Sequence, residues 1–530
     1  MQDNPSYRDH APMQRAVQIL TVLLILLASA MIAFFVIASI RRLTYPFPLD
    51  SIEGSMALAV ARVANGLPLY LQPNFHYTPY MYAPAYYYVC GWVAKLFGFG
   101  LLPLRLVSIL STIGCFVLIA LLVFVETRNR LAALAGAGLY ASAYLACQYW
   151  FDVGRVDSLY VFLVLLALVA SRWLHPVFAA LAWTLAWLAK QSIIPVAVVA
   201  LCLDWKRPQR VLAGLGTFVL ASLGSTAWLD HATHGWFHYY VFTVPSASTN
   251  LQPHLAFGLL APFTVALVVV AAALLLTGVH WGSPAARFYL WVSGALALLC
   301  WFLASHAGSV LNVAMPAYAL LAVAFGIALA RLIHWLHGLP AARSQVGLTL
   351  LLLATCAQFA CQPRPNIFLT PSPAVRAERQ QFEDWLHSVP GDVLVVAHPY
   401  EAVMAGKPVH PDQFAIGDAL APGRPAVNLP LLDEIHKVIE QETLEAIVVD
   451  LPPEEAIVRS PWLSTDLLRR YPIVGIVPGS NLASDPGNAF NPNPRYVLLP
   501  CRASGVAAAL QITIISSPEV AKMCPGVRSH

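Results

Sequence analysis

The chain has 530 residues, of which 58% are hydrophobic and only 11% charged, and its mean hydropathy is +0.65. Charged residues make up about 25% of ordinary soluble domains, so this composition excludes a soluble protein and points to a polytopic membrane protein. A net charge of +4 is too small to argue for a nucleic-acid partner.

Residues 1–15 are polar and carry Arg8 and Arg15, and the apolar run 16–40 that follows is long enough to span a bilayer, which needs about 20 residues. It is too long for a signal-peptide core and lacks a small-residue cleavage site, so it reads as a retained anchor. The polar and aromatic stretch 41–101 comes next. Within it, residues 82–98 read as a juxtamembrane helix because Tyr86, Tyr87, Tyr88, Trp92 and Lys95 suit the membrane interface. Further apolar runs occupy approximately 102–125, 131–149, 158–171, 176–188, 191–204, 211–229, 255–279, 286–304, 310–330 and 345–361, giving about eleven crossings. Residues 176–204 must then be two short helices turning at Lys190 and Gln191.

Basic residues orient this bundle. With the amino terminus inside, the inner connections hold Arg128, Arg130, Arg172, Lys206, Arg207, Arg210, Arg287, Arg331 and Arg343, while the outer ones hold Arg41, Arg42, Arg62 and Lys95, all in the single long loop, plus Arg155 and Lys190. Beyond residue 362 the pattern changes: amphipathic helices such as RAERQQFEDWLHS alternate with buried strands such as DVLVVAHP and EAIVVD. This predicts a small C-terminal α/β domain (362–530) with a partly parallel sheet, placed outside by parity. The stretch 480–494 reads as a turn-rich loop. Nine cysteines occur without C-x-x-C spacing, and most read as small buried hydrophobes; Cys501 and Cys524 are placed to pair if the tail is exported.

The same orientation puts nearly every polar group at a membrane edge on the outer face. Asp50 and Glu53 lie three residues apart, on one face of a helical turn. FDVGRVDS supplies Asp152, Arg155 and Asp157, the AKQS turn supplies Lys190, and SHAGSVLN supplies His306 and Asn312. Ionisable groups at membrane depth are costly and usually face a cavity, so one outward-opening polar cavity is the simplest account. Each has a plainer reading too. Asp50 and Glu53 suit the amino end of a helix, and Asp152, Arg155 and Asp157 could form a structural ion-pair set. Lys190 can snorkel to the interface, His306 and Asn312 can satisfy a helix break, and the tyrosines, including Tyr239 and Tyr240 beside His238, can form an interfacial belt. A divalent cation bridging Asp50 and Glu53 to a phosphate is a further expectation; the His398/Glu401 and His410/Asp412 pairs in the tail have metal-ligand types at loose spacing.

These residues carry a resemblance. EGSMALAVARVANGLPLY, then YAPAYYYV and LPLRLVSIL, is similar to the first outer loop and second membrane helix of GT-C glycosyltransferases, within them the aminoarabinose transferase and protein O-mannosyltransferase-like families. GRVDSLYVFLVLLAL, LAKQSIIP and HAGSVLNVAMPAYALL resemble later family segments in the same order, over roughly 350 residues. One departure is that the acids are not adjacent before the glycine: Ile52 and Glu53 stand there, with the other acid at Asp50, which leaves open which of the two is the base. The resemblance implies an all-α GT-C bundle in a bacterial inner membrane, and an inverting transfer of a sugar from a polyprenyl-phosphate donor to a glycan, lipid or protein acceptor. Such chemistry needs a carboxylate base, for which Asp50 and Glu53 are the candidates. It also needs cationic donors for the departing phosphate, Arg155 and Lys190. Aromatic faces suit a sugar ring, and Tyr77, Tyr80 and Tyr82 follow the acids closely. Two other classes fit parts of the pattern: a polyprenyl-linked glycan flippase, against which stands the lack of matching halves, and a non-catalytic envelope-assembly protein that recruits partners through its tail.

Overall fold

The computed structural model describes residues 11–247, 251–256, 258–277, 284–306, 309–362, 370–464, 466–478, 480, 494–503, 512–515 and 524. The apolar runs form helices in the expected order: α1 (Ala11–Leu43), then after the long loop α4 (Leu101–Thr127), α5 (Arg130–Ala146), α6 (Val156–Trp173), α7 (Pro176–Ala189), α8 (Ile194–Cys202) and α9 (Pro208–Ala232). They continue as α10 (Thr264–Leu276), α11 (Pro284–Ala304), α12 (Met315–His337) and α13 (Ala341–Ala360). Six helices among the described residues are long and apolar enough to cross a membrane, with shorter apolar ones beside them. Within the loop lie α2 (Ser51–Ala64) and α3 (Ala85–Phe97). The 255–279 run departs from expectation. Its α-helix starts only at Thr264, after a 3-10 turn at Ala261–Phe263 that contains Pro262, whose missing N–H is tolerated only in a first turn.

With no apolar–water contrast inside a bilayer, these helices associate through close packing and internal hydrogen bonds. At Gly138 in α5 a Cβ would come within 2.8 Å of the Ala28 Cα of α1, so glycine there lets two backbones touch. Above this contact Phe35 meets Phe116 and Tyr144 edge-on at 5.3 and 5.1 Å, and Phe151 stacks on Tyr140 at 4.8 Å. That aromatic floor carries the short 3-10 turn Trp150–Asp152. Gln148 and Tyr149 just before it both take left-handed backbone conformations, φ 51° and 64°, which ordinary residues adopt only where the surroundings enforce them.

The remainder of the chain contains α14 (Pro373–Ser388), α15 (Pro399–Met404), α16 (Gln413–Leu420) and α17 (Pro425–Glu440) around a five-stranded sheet. Strands β1 (Val393–Val395), β2 (Ala446–Val449), β3 (Ile473–Ile476), β4 (Tyr496–Leu499) and β5 (Thr513–Ile514) run in the order β1-β2-β4-β3-β5; only β1 and β2 pair in parallel. Alternation along β1 sends Val393 and Val395 into one core with Phe382 and Trp385, and Leu394 into another with Ile435 and Ile439. Cys501 and Cys524 form a disulfide. Residues 481–493, most of the expected turn-rich loop, lie outside the described residues.

Candidate active site

The site is built on the amino end of α2. Asp50 caps this helix, its Oδ2 accepting the Ile52 N–H at 3.2 Å. The capping reading and the cavity reading therefore meet in one side chain. The same Oδ2 receives Arg155 Nη1 at 2.6 Å, and Arg155 Nη2 donates to the Tyr82 hydroxyl at 2.9 Å. The guanidinium also faces the Trp150 ring at 5.3 Å. Among the described residues nothing bonds the second Asp50 oxygen, Oδ1. Burial pushes the Asp50 carboxyl above the ordinary carboxylate range, and Arg155 opposes this in part.

Glu53, one turn on, has a different environment. Its Oε1 accepts Arg105 Nε at 2.9 Å and the Gly154 N–H at 2.7 Å; its Oε2 accepts Arg105 Nη2 at 2.8 Å and the Leu49 N–H at 2.6 Å. It is fully buried. Burial alone would raise its pKa, but Arg105 and the two amides outweigh it and hold the carboxyl below the usual range. The two acids expected to act as one pair are thus divided between two arginines. Both Glu53 oxygens are thus fully engaged by protein donors, in contrast to those of Asp50. Among the described residues no group of three or more His, Cys, Asp or Glu side chains is placed to hold a metal.

Arg105 did not stand out in the sequence. Besides Glu53 it donates to the carbonyls of Arg42, Tyr45 and Phe47 at 3.0, 2.5 and 2.7 Å, and so fixes the whole turn from α1 to α2. The available clue was an arginine one turn inside an apolar helix, LLPLRLVSIL, where an unpaired charge is untenable.

Asp152 pairs not with Arg155 but with Arg42, whose Nε lies 3.1 Å from Oδ2. This ion pair ties α1 to the 3-10 turn. Asp157, by contrast, gathers two of the other expected residues: Lys190 Nζ at 2.7 Å and Asn312 Nδ2 at 2.8 Å. Of these ion-paired cations, Lys190 keeps the most exposure, 14% of its side chain against 5% for Arg155. Next to Lys190, Gln191 donates to the Met81 carbonyl at 3.0 Å and ties the AKQS turn to the long loop. His306 does not join the cluster. It shares a 3.0 Å hydrogen bond with Phe302 O in its own helix and bridges to Leu251.

The tyrosines divide as well. Tyr82 contacts Arg155, Tyr77 lies under Arg62 at 4.3 Å, and Tyr239 donates to the Ala419 carbonyl at 2.6 Å. This last bond is one of several that seat the C-terminal sheet and its helices on the loop. The Phe75 N–H donates to Glu434 at 3.0 Å, and His410 Nδ1 lies 3.1 Å from Phe75 O. Tyr400 of α15 packs on α2 so closely that a Cβ at Gly54 would lie 2.5 Å from its own. Asp412 Oδ2 lies 3.5 Å from Ser55 Oγ, one turn from Asp50, and burial raises its pKa to about 7. Between Ser55, Tyr80, His410 and Asp412 remains a cavity of about 20 Å³, room for a single water. His398 and Glu401 form a buried charge network, Arg379 Nη1 to Glu401 at 3.0 Å and His398 Nε2 to Asp450 at 3.2 Å, and not a metal site.

No protein-family model matches the chain, and a search of the curated proteins found no match. Solved structures do. ArnT from Cupriavidus metallidurans bound to undecaprenyl phosphate superimposes with a TM-score of 0.56 at 13% identity, over 89% of this chain and 97% of that one. ArnT in the apo state gives 0.55 at 14% identity over the same shares. The chain therefore shares the fold of these ArnT structures over 89% of its length.

Proposed function

We propose that the chain transfers a sugar from a polyprenyl-phosphate donor to a glycan, lipid or protein acceptor on the extracytoplasmic face of a bacterial inner membrane, with Asp50 as the base. The observation that carries this reading is the contrast between the acids: Glu53 is saturated, whereas Asp50 is held by Arg155 through one oxygen and keeps the other. In this scheme Asp50 Oδ1 takes the proton from the acceptor hydroxyl or amine as it attacks the anomeric carbon. The bond from that carbon to the phosphate oxygen breaks on the opposite side, and the phosphate leaves with the electron pair. Lys190, buffered by Asp157 and Asn312, is the cation best exposed to meet that charge. The likeness to an ArnT structure bound to undecaprenyl phosphate supports the class of donor. The positive-inside distribution of Arg128, Arg130, Arg172 and the 204–210 cluster supports the orientation.

The test is donor binding and consumption by the purified chain in detergent, using a panel of radiolabelled polyprenyl-phosphate sugars and comparing the native chain with D50N. One donor should bind to both, with turnover in D50N lower by roughly 10²- to 10⁴-fold, the usual range for a general base. Full turnover by D50N would remove Asp50 from the chemistry. Movement of a lipid-linked glycan across vesicles without any new glycosidic bond would replace the transferase with a flippase.

A further inference from the structure

An apolar cavity of about 240 Å³ lies between α10, α11 and α12, away from the acids. Its wall on α12 runs from Ala317 to Arg331, about 21 Å at about 1.5 Å per residue. That exceeds the roughly 15 Å depth of one leaflet of a 30 Å hydrocarbon core. Leu267, Leu274, Leu321 and Ala324 line its length; an apolar cavity even of order 150 Å³ stays dry and takes up apolar ligands. The polar groups gather at one end, where Glu126, Tyr289 and Arg331 close it. Glu126 is neutralised there, bound by Arg172 Nη2 at 2.6 Å and by the Tyr289 hydroxyl at 3.2 Å. Arg331 is half-buried and has no hydrogen bond or ion pair among the described residues. The net charge at this mouth is therefore one uncompensated cation.

We infer that this cavity is a binding site for a bilayer anionic phospholipid, with an acyl chain lying along α12 and the headgroup phosphate on Arg331. Polarity distinguishes the occupant from a polyprenyl-phosphate donor. A donor phosphate belongs beside Lys190 and Asn312, and Asn312 precedes the first turn of α12, whereas Arg331 lies near its far end. The free cation thus sits in the opposite leaflet, at the membrane end whose helix connections also carry Arg128, Arg130 and Arg343, and basic pockets between membrane helices on such a face are suited to anionic headgroups. The choice of phospholipid over donor rests on the donor site proposed above; the cavity and its cation do not.

Native mass spectrometry of the full chain, titrated with phosphatidylglycerol or phosphatidylcholine, tests it. The wild type should retain one tight phosphatidylglycerol. In R331Q its affinity should fall about fivefold, the equivalent of roughly 1 kcal/mol for one basic contact at an anionic surface, with phosphatidylcholine binding unchanged. A324F, which fills the channel without touching the charge, should lose the same lipid. Each variant is first checked as a single sharp peak in size exclusion, and Ala328→Leu replaces A324F if that one fails. Equal phosphatidylglycerol retention by wild type and R331Q overturns the inference, as does displacement of the retained lipid by polyprenyl phosphate, which would make the cavity part of the donor site.

Discussion

Two carboxylates one helical turn apart have been given opposite tasks by their neighbours. Glu53 accepts four hydrogen bonds in a fully buried setting, so Glu53→Gln removes the charge opposite Arg105 and leaves that arginine buried and uncompensated. Breaking a buried pair from one side costs about 3–5 kcal/mol, and E53Q should show this as a lowered Tm and poor yield in detergent; D50N breaks the Arg155 pair and should also lower Tm, but its loss of turnover should far exceed that of E53Q at equal folded fraction. If E53Q keeps its Tm but loses turnover selectively, the division of labour drawn here is reversed. Arg105→Lys should resemble E53Q, because an ammonium cannot reach Glu53 and three carbonyls together; thermal unfolding followed by tryptophan fluorescence would report it.

Elements matter here through how α2 is held. One side of it meets the bundle through Arg105 and Arg155; the other meets α15 through Tyr400. Gly54 is the point of closest approach. G54A should push α15 away at a cost of about 1–3 kcal/mol, as for overpacking generally, and hydrogen exchange in Pro399–Met404 should rise accordingly. Asp412 adds a pH dependence to the same contact. Its folded pKa of about 7 lies above the ordinary aspartate value of 3.8 because burial disfavours the anion. The folded state thus holds a proton that the unfolded chain gives up, and stability falls as pH rises from about 4 to about 7 and levels off above. His398, raised to about 9 chiefly by Asp450 against the effect of burial, adds stability that is full below about 6.5 and lost as pH rises through 9. Melting curves between pH 5 and 9 should show both losses in the wild type. In D412N only the upper one should remain, and an unchanged lower step would mean that Asp412 is ionised throughout.

At the scale of the whole molecule, the C-terminal sheet and its helices act as a clamp on the long loop. Their contacts fall on Phe75, Gly54, Ser55 and Tyr239, which come from three separate stretches of the chain. Deleting residues 375–530 should accordingly expose the apolar side of α2 and reduce acceptor transfer at least tenfold, with donor binding less affected. A truncated chain that transfers to acceptor at the native rate would leave the clamp without a part in the reaction.

Composition and hydropathy by themselves determined the class, the order of the apolar helices, the break at Lys190 and the strand-bearing tail. These follow from local physics: a bilayer requires long apolar helices, and alternation marks strands. The order of short polar motifs on one face carried the GT-C resemblance that the ArnT likeness bears out in fold. Spacing could also bring Asp157, Lys190 and Asn312 to one region. It could not assign partners. Whether Asp50 met Arg155 or Arg105, and whether Asp152 met Arg42 or Arg155, depended on which helix ends pack together, and the contacts formed join residues 52 to 110 positions apart in the chain. Only the tertiary structure decided that Glu53 would be saturated, that Asp50 would keep an oxygen, and that a tail with no legible chemistry would press on α2, because ion-pair choice in a low-dielectric interior is set by distances of a few ångströms.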